Sequence, residues 1–239
     1  MKRIFSSILT VVLLWSCATE KALVFTESNA LYEDNAVIEI NIPIAEGDSE
    51  LAKAINSKVE NHIANMLNFA EEPSENIQLK DAIKNFDANY KSFKNDFTES
   101  ALVWEATFDG EITRNSEHII SLAISSYSNT GGAHGNANVS FYNFDKATSK
   151  LIDINTIISD KDAFKTLAEQ YFKDNINKDD GFSYEDYFFG EGFHLPANMG
   201  FNDEGLILFY NPYEIAPYAM GITEFTIPYS ELDALVELQ

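Results

Sequence analysis

The stretch YSNTGGAHGNANVSFYNFD runs from Tyr127 to Asp145 of a 239-residue chain. It holds the pair Gly131–Gly132, a lone histidine at His134, a further glycine at Gly135, and then an aromatic run. A phosphate-cradling loop needs the Walker spacing, or a GxGxxG turn leading from a strand into a helix. GGAHG has neither, and the residues after it read as a strand. The stretch is therefore expected to be a bend between two strands, which makes a sheet the organising element of the fold.

The flanking sequence agrees. From Ala101 the period is two: Leu102, Trp104, Ala106, Phe108 and Ile112 share one face, while Glu105, Thr107, Asp109, Glu111 and Thr113 share the other. Asp109–Gly110 would ordinarily signal a hairpin. The alternation continues through it, so the turn is expected at Arg114–Asn115–Ser116. HIISLAISSYS returns with Ile120, Leu122 and Ile124 inward, and beyond the bend NVSFYNFD, the turn KATSK and the short strand LIDI follow. Toward the N-terminus, ALVFTESNALYED and AVIEINIPIAEG read as two strands, with Ile38, Ile40 and Ile42 on one face.

Three segments have helical spacing instead. ELAKAINSKVENHIANMLNF follows an N-cap at Asp48–Ser49 and aligns Leu51, Ile55, Val59, His62, Ile63, Met66 and Leu67. Pro73 ends it. A second helix, from about Gln78 to Phe97, repeats Ile83, Phe86, Tyr90, Phe93 and Phe97 three or four apart. In SDKDAFKTLAEQYFKDNI, Ser159 and Asp162 stand in capping-box relation, with Phe164, Leu167, Ala168, Tyr171 and Phe172 as the buried face. Residues 177–198 carry no assignable pattern. MGFNDEGLILFYN reads as a hairpin about Asp203–Glu204–Gly205, PYEIAPYAMG as a loop and ITEFTIPY as a last strand. Grouped helices and strands, without βαβ alternation, predict an α+β class: antiparallel sheets with helices packed on one face, in two consecutive subdomains.

The N-terminus carries an address. In MKRIFSSILTVVLLWSCATE, Lys2 and Arg3 precede an apolar run from Ile4 to Trp15. At about 12 residues that run is too short to cross a hydrocarbon layer of roughly 30 Å as a helix. It fits a secretory signal covering residues 1–16. The sole cysteine, Cys17, stands where a lipobox would place the lipid-modified first residue; a buried free thiol, or a signal cut slightly later, is the alternative reading. Cleavage before Cys17 leaves 239 − 16 = 223 residues and removes two basic residues, so the net charge moves from −22 to 14 − 38 = −24. A surface this acidic repels nucleic acid and anionic lipid and attracts cationic partners. The expected location is the cell envelope, lipid-anchored and facing the periplasm or the outer surface.

Conventional catalytic spacings do not occur. The four histidines, His62, His118, His134 and His194, form no H-x-x-H or H-x-x-x-H pair, and no G-x-S-x-G or D-x-D-x-D-G segment exists. His62 belongs to an apolar helical stripe. His134, flanked by small residues, is the histidine to test, either as a ring that holds the bend or as part of a site. No cofactor and no metal is expected.

The bend, together with KLIDINTIISDKDAFKTLAEQYF and GLILFYNPYEIAPYAMGITEFTIPY, resembles the paired extracytoplasmic domains found in the anti-sigma factor RsiV and beside the catalytic domain of the peptidoglycan deacetylase PdaC. The resemblance divides the mature chain into a PdaC-like accessory domain, residues 17–147, and an RsiV-like domain, residues 148–239. The metal-binding catalytic domain of the deacetylase and the cytoplasmic region of the anti-sigma factor have no counterpart here, so deacetylation and sigma-factor control are not carried over. What the resemblance implies is the binding role of the module, which in RsiV is directed at lysozyme. The expected function is a non-catalytic, lipid-anchored envelope module for a cell-wall glycan fragment or a glycan-acting protein such as lysozyme. The alternative is a cell-wall hydrolase or other envelope enzyme using carboxylates near His134. Candidate contacts are Tyr127, Asn129, Gly131, Gly132, His134 and Asn136 on the bend, with Tyr213, Tyr218 and Met220 on the later loop.

Overall fold

A computed structural model of the chain describes residues 23–68, 73–176, 181–233 and 235–236. The expected leader, residues 1–16, and Cys17 lie outside the described residues. The described residues build two sheets. The first has the order β1 (Phe25–Tyr32), β2 (Val37–Ala45), β3 (Glu105–Asn115), β4 (Ile119–Asn129), β5 (Asn136–Asp145) and β6 (Lys150–Leu151). The second has the order β7 (Asn198–Phe201), β8 (Gly205–Tyr210) and β9 (Thr223–Pro228). All pairs are antiparallel except β2–β3, which is parallel. The reason is the excursion between them: α1 (Glu50–Asn68) and α2 (Leu79–Asp96) carry the chain back to the end where β2 began.

The helical stripes pack as their spacing implies, except that Phe97, which caps α2, is 57% exposed. Ser49 Oγ accepts the Ala52 N–H and starts α1. Ile55, Val59, Ile63 and Leu67 of α1 and Phe86 and Tyr90 of α2 are buried against Ile38, Ile40, Phe108, Ile120, Leu122 and Ile124. Strand β3 runs through Asp109–Gly110 as the alternation implies, but the turn falls later than expected. After a register shift between Ile112 and Arg114, Arg114 and Asn115 still pair with Ser121 and Ile120, which leaves Ser116–His118 as the turn. Gly110 is there for space, since a Cβ would stand 2.9 Å from Cδ of Pro43 on β2. Asp87 of α2 pins the β1–β2 turn by accepting the Asn35 and Ala36 N–H groups and the Asn35 amide. Desolvation works against that carboxylate's charge, but these donors prevail and hold its pKa below the ordinary value.

The C-terminal module covers part of the opposite face of the first sheet. Ser121 and Asn143 are polar and buried there. Ser121 Oγ donates to Asn143 Oδ1 at 2.7 Å and accepts the Phe201 N–H at 3.1 Å, while Asn143 Nδ2 donates to Met199 O at 2.9 Å. Strand β5 would be an edge there, because β6 pairs only with Phe144 and Asp145. Two side-chain amides replace the missing strand. Asn198 accepts the Phe141 N–H at 2.8 Å and donates to Val139 O at 2.6 Å. Asn211 accepts the Val139 N–H at 2.8 Å and donates to the same carbonyl at 3.0 Å. Replacing both by alanine leaves half-buried backbone groups unsatisfied. A loss of about 2–4 kcal/mol is expected, at about 1–2 per orphaned group pair. Urea unfolding should show a lower midpoint with an unchanged slope, and an unchanged midpoint would show that water serves these groups equally well.

Two local expectations are corrected. The third long helix, α4 (Lys161–Asn175), is capped by Asp160, whose carboxylate accepts the Ala163 N–H, and not by Ser159. Ser159 is occupied elsewhere, since its N–H and its hydroxyl both donate to Leu235 O. The strand expected over LIDI is only β6, because Asp153 caps a one-turn helix, α3 (Ile154–Ile157). In the unassigned region, Tyr187, Phe188 and Phe193 fill the second core against Phe172 and Tyr210, with 3₁₀ turns at Tyr184–Asp186 and Phe188–Gly190. A one-turn helix, α5 (Tyr229–Leu232), follows β9.

Candidate functional site

The bend between β4 and β5 is built from glycine conformations. Gly131 and Gly132 adopt φ of 100° and 141°, and the Asn129 side chain accepts the Gly131 N–H at 3.3 Å. Gly135 lies under the Tyr127 ring, where a Cβ would come within 2.4 Å of its atoms. This close fit turns His134 outward toward the second module.

Three rings meet at that point. His134 Nδ1 lies 2.7 Å from Gly135 O, so that nitrogen carries the proton and donates. Nε2 lies 3.0 Å from the Tyr213 hydroxyl, within hydrogen-bonding distance. The imidazole stacks on Tyr218, with centroids 3.8 Å apart and planes 15° apart, and Tyr213 lies 5.5 Å from Tyr218. Tyr218 donates its hydroxyl to Gly135 O at 3.4 Å. Tyr213 holds a φ of 71° and is 55% exposed. Its loop is fixed by Glu214, which accepts the Ala197 N–H at 2.8 Å and the Asn211 N–H at 2.9 Å. The acid nearest in sequence to Tyr213 is thus already engaged, and both nitrogens of His134 are taken by a carbonyl and a phenol.

The structure distributes the other candidates around this cluster. Tyr127 and Asn129 end β4 opposite Thr107 and Glu105, on the sheet face away from the helices. Asn136 opens β5 at the surface. Met220 packs against the second core and belongs to no ring contact with His134. Among the described residues, no group of three or more His, Cys, Asp or Glu side chains is placed to hold a metal ion.

A second constellation had no sequence reading beyond the placement of His62. Its Nε2 lies 2.9 Å from Ser126 Oγ and its Nδ1 2.8 Å from the Tyr142 hydroxyl. Desolvation, followed by the nearby Lys58 charge, lowers its pKa from 6.5 to about 4. Ser126 is 3% and His62 9% exposed, so this is a buried polar network of the first core. The available signal was phase: Ser126 continues the inward series Ile120, Leu122, Ile124.

Residues 26–137 match the family model described as Deacetylase PdaC, and residues 151–230 match the model described as Protein of unknown function (DUF3298). Two solved structures share the fold. A member of the DUF3298 family from Bacteroides fragilis is 19% identical with a TM-score of 0.69, covering 90% of this chain and 94% of its own. A DUF3298 family protein from Pseudomonas aeruginosa PAO1 is 21% identical with a TM-score of 0.60, again covering 90% of this chain and 94% of its own. No curated protein matches the chain. The two consecutive modules read from the sequence are those that these families describe, and both structural neighbours span them in one chain.

Proposed function

We propose that this chain is a non-catalytic binding module of the cell envelope, tethered through Cys17, and that the cluster of His134, Tyr213 and Tyr218 takes a cell-wall glycan fragment. The observation that carries this reading is the stacked, partly exposed group of rings where the bend of one module meets the loop of the other. Aromatic faces present a large apolar area with few internal rotations to freeze, and the phenol and imidazole edges supply polar contacts beside it. The C–H face of a sugar ring fits such a surface. Titration of the purified chain with soluble peptidoglycan fragments should give saturable binding without product release. Tyr213→Ala should weaken it at least tenfold, about 1.4 kcal/mol. Turnover of the fragment would sink the non-catalytic half, and no binding would sink the glycan.

Net charge favours a second reading, a basic glycan-acting protein such as lysozyme as the partner. At 14 − 38 = −24 after cleavage before Cys17, the chain would steer a cationic protein toward itself, in keeping with the resemblance to the RsiV module. Titration with lysozyme at two salt concentrations separates the readings. Lysozyme binding that falls with salt and survives Tyr213→Ala favours the second.

A further inference from the structure

We propose that the outer edge of β1 is a docking site for an extended, lysine- or arginine-rich segment of a partner protein, which adds to the first sheet as a further strand. The site is separate from the aromatic cluster and does not depend on it.

The backbone geometry defines the edge. Among the described residues, strand β1 pairs only with β2 and stands at the end of the sheet. Val24 O accepts the Glu46 N–H at 2.8 Å, in the same register as the Phe25–Ala45 pair. In an antiparallel pair, alternate residues turn both backbone groups to the partner. Even-numbered residues of β1 therefore face β2, and Phe25, Glu27, Asn29 and Leu31 face outward. The far side of the ladder agrees: the N–H and C=O of Ala45, which stands opposite Phe25, are taken by the Asn56 side chain. Among the described residues none bonds the outward groups of these four positions. The strand is eight residues long, has no proline, and leaves Leu31 57% exposed. Long edges of this kind are where another chain adds, unless charge or proline blocks them.

Charge selects the occupant. No residue from 22 to 52 is Lys or Arg, while Glu27, Glu33, Asp34, Glu39 and Glu46 all lie on or beside the β1–β2 ribbon. The face that carries Glu27 continues across the sheet through Glu39, Asn41 and Asp109. Asn41 Nδ2 bridges the two carboxylates at 3.0 Å each. A second copy of this chain would set one acidic ribbon against another. A strand with cationic side chains at alternate positions would meet the backbone ladder and lay its charges over this face.

The test uses the full chain and an eight-residue peptide in which lysine alternates with threonine and valine, with glutamate replacing lysine in a control. Asn29→Pro removes an outward N–H without touching the β2 ladder, so the fold should survive. Expected results are binding of the lysine peptide, slowed hydrogen exchange at Glu27, Asn29 and Leu31, at least tenfold weaker binding to Asn29→Pro, and no binding of the glutamate peptide. Equal binding to wild type and Asn29→Pro, or no change in exchange, would overturn the proposal by reducing it to diffuse charge attraction. It would also be overturned if the same amides were already protected in the free chain, through self-association or through residues 1–22.

Discussion

Gly205→Ala is expected to destabilise the protein by more than about 3 kcal/mol, beyond the usual 1–3 kcal/mol of an overpacked core. The methyl group would stand 1.9 Å from Ile227 O, 2.7 Å from its carbonyl carbon and 2.9 Å from Pro228 Cα. All three are backbone atoms of β9, so no side chain can swing aside. Strand β8 is the central strand of its sheet and is buried throughout, which prevents it from sliding away. The turn is also held, because Asn202 Oδ1 accepts the N–H groups of Glu204 and Gly205 at 2.9 and 2.8 Å. For a chain of this size, about 3 kcal/mol corresponds to a fall in Tm of at least about 6 °C. Gly47→Ala is the control: nothing lies within 4 Å of its added Cβ, and only its φ of 91° resists the change. A Gly205→Ala melt within two or three degrees of wild type would show that β9 can give way.

Space of this kind is invisible in a one-dimensional reading. Alternation was enough to find β2, β3 and β4, because Ile38, Ile40, Phe108, Ile120 and Leu122 all line the same core. It could not reveal the parallel joint between β2 and β3, which depends on where two helices return the chain. Nor could it show that the polar residues Ser121 and Asn143 are buried, since a polar position opposite a core reads as solvent whether water or a second module lies there. Asp160 displaced Ser159 as a cap for a similar reason: a contact with Leu235, far along the chain, took the serine. In the candidate site the glycines announced the bend. The stacking of His134 on Tyr218 joins residues from separate modules; the family resemblance had named both loops as candidate contacts but could not place one against the other.

The buried His62 network gives the clearest dependence on pH. With Ser126 on one nitrogen and Tyr142 on the other, the neutral ring donates once and accepts once. Protonation would place a charge in the core, next to Lys58, whose ammonium lies 4.8 Å from the Tyr142 ring centroid. The folded pKa is depressed to about 4 from 6.5, so below pH 6.5 the unfolded state binds the proton that the native state refuses. The network's contribution is therefore complete above pH 6.5, declines as the pH falls, and is gone below about 4. Each pH step of one between the unfolded and folded pKa values is worth about 1.4 kcal/mol, so the loss across that window is about 3 kcal/mol. His62→Gln keeps an acceptor and a donor but has no proton to gain. It should be less stable than wild type at pH 7.5, and the gap should narrow steadily between pH 6.5 and 4 in urea titrations. Lowered carboxylates such as Asp87 and Glu169 lose their contribution mainly at the acid end and do so in both proteins, so they cancel in the difference. A gap that stays constant over the whole range would mean that His62 titrates normally, and that water reaches the ring despite its burial.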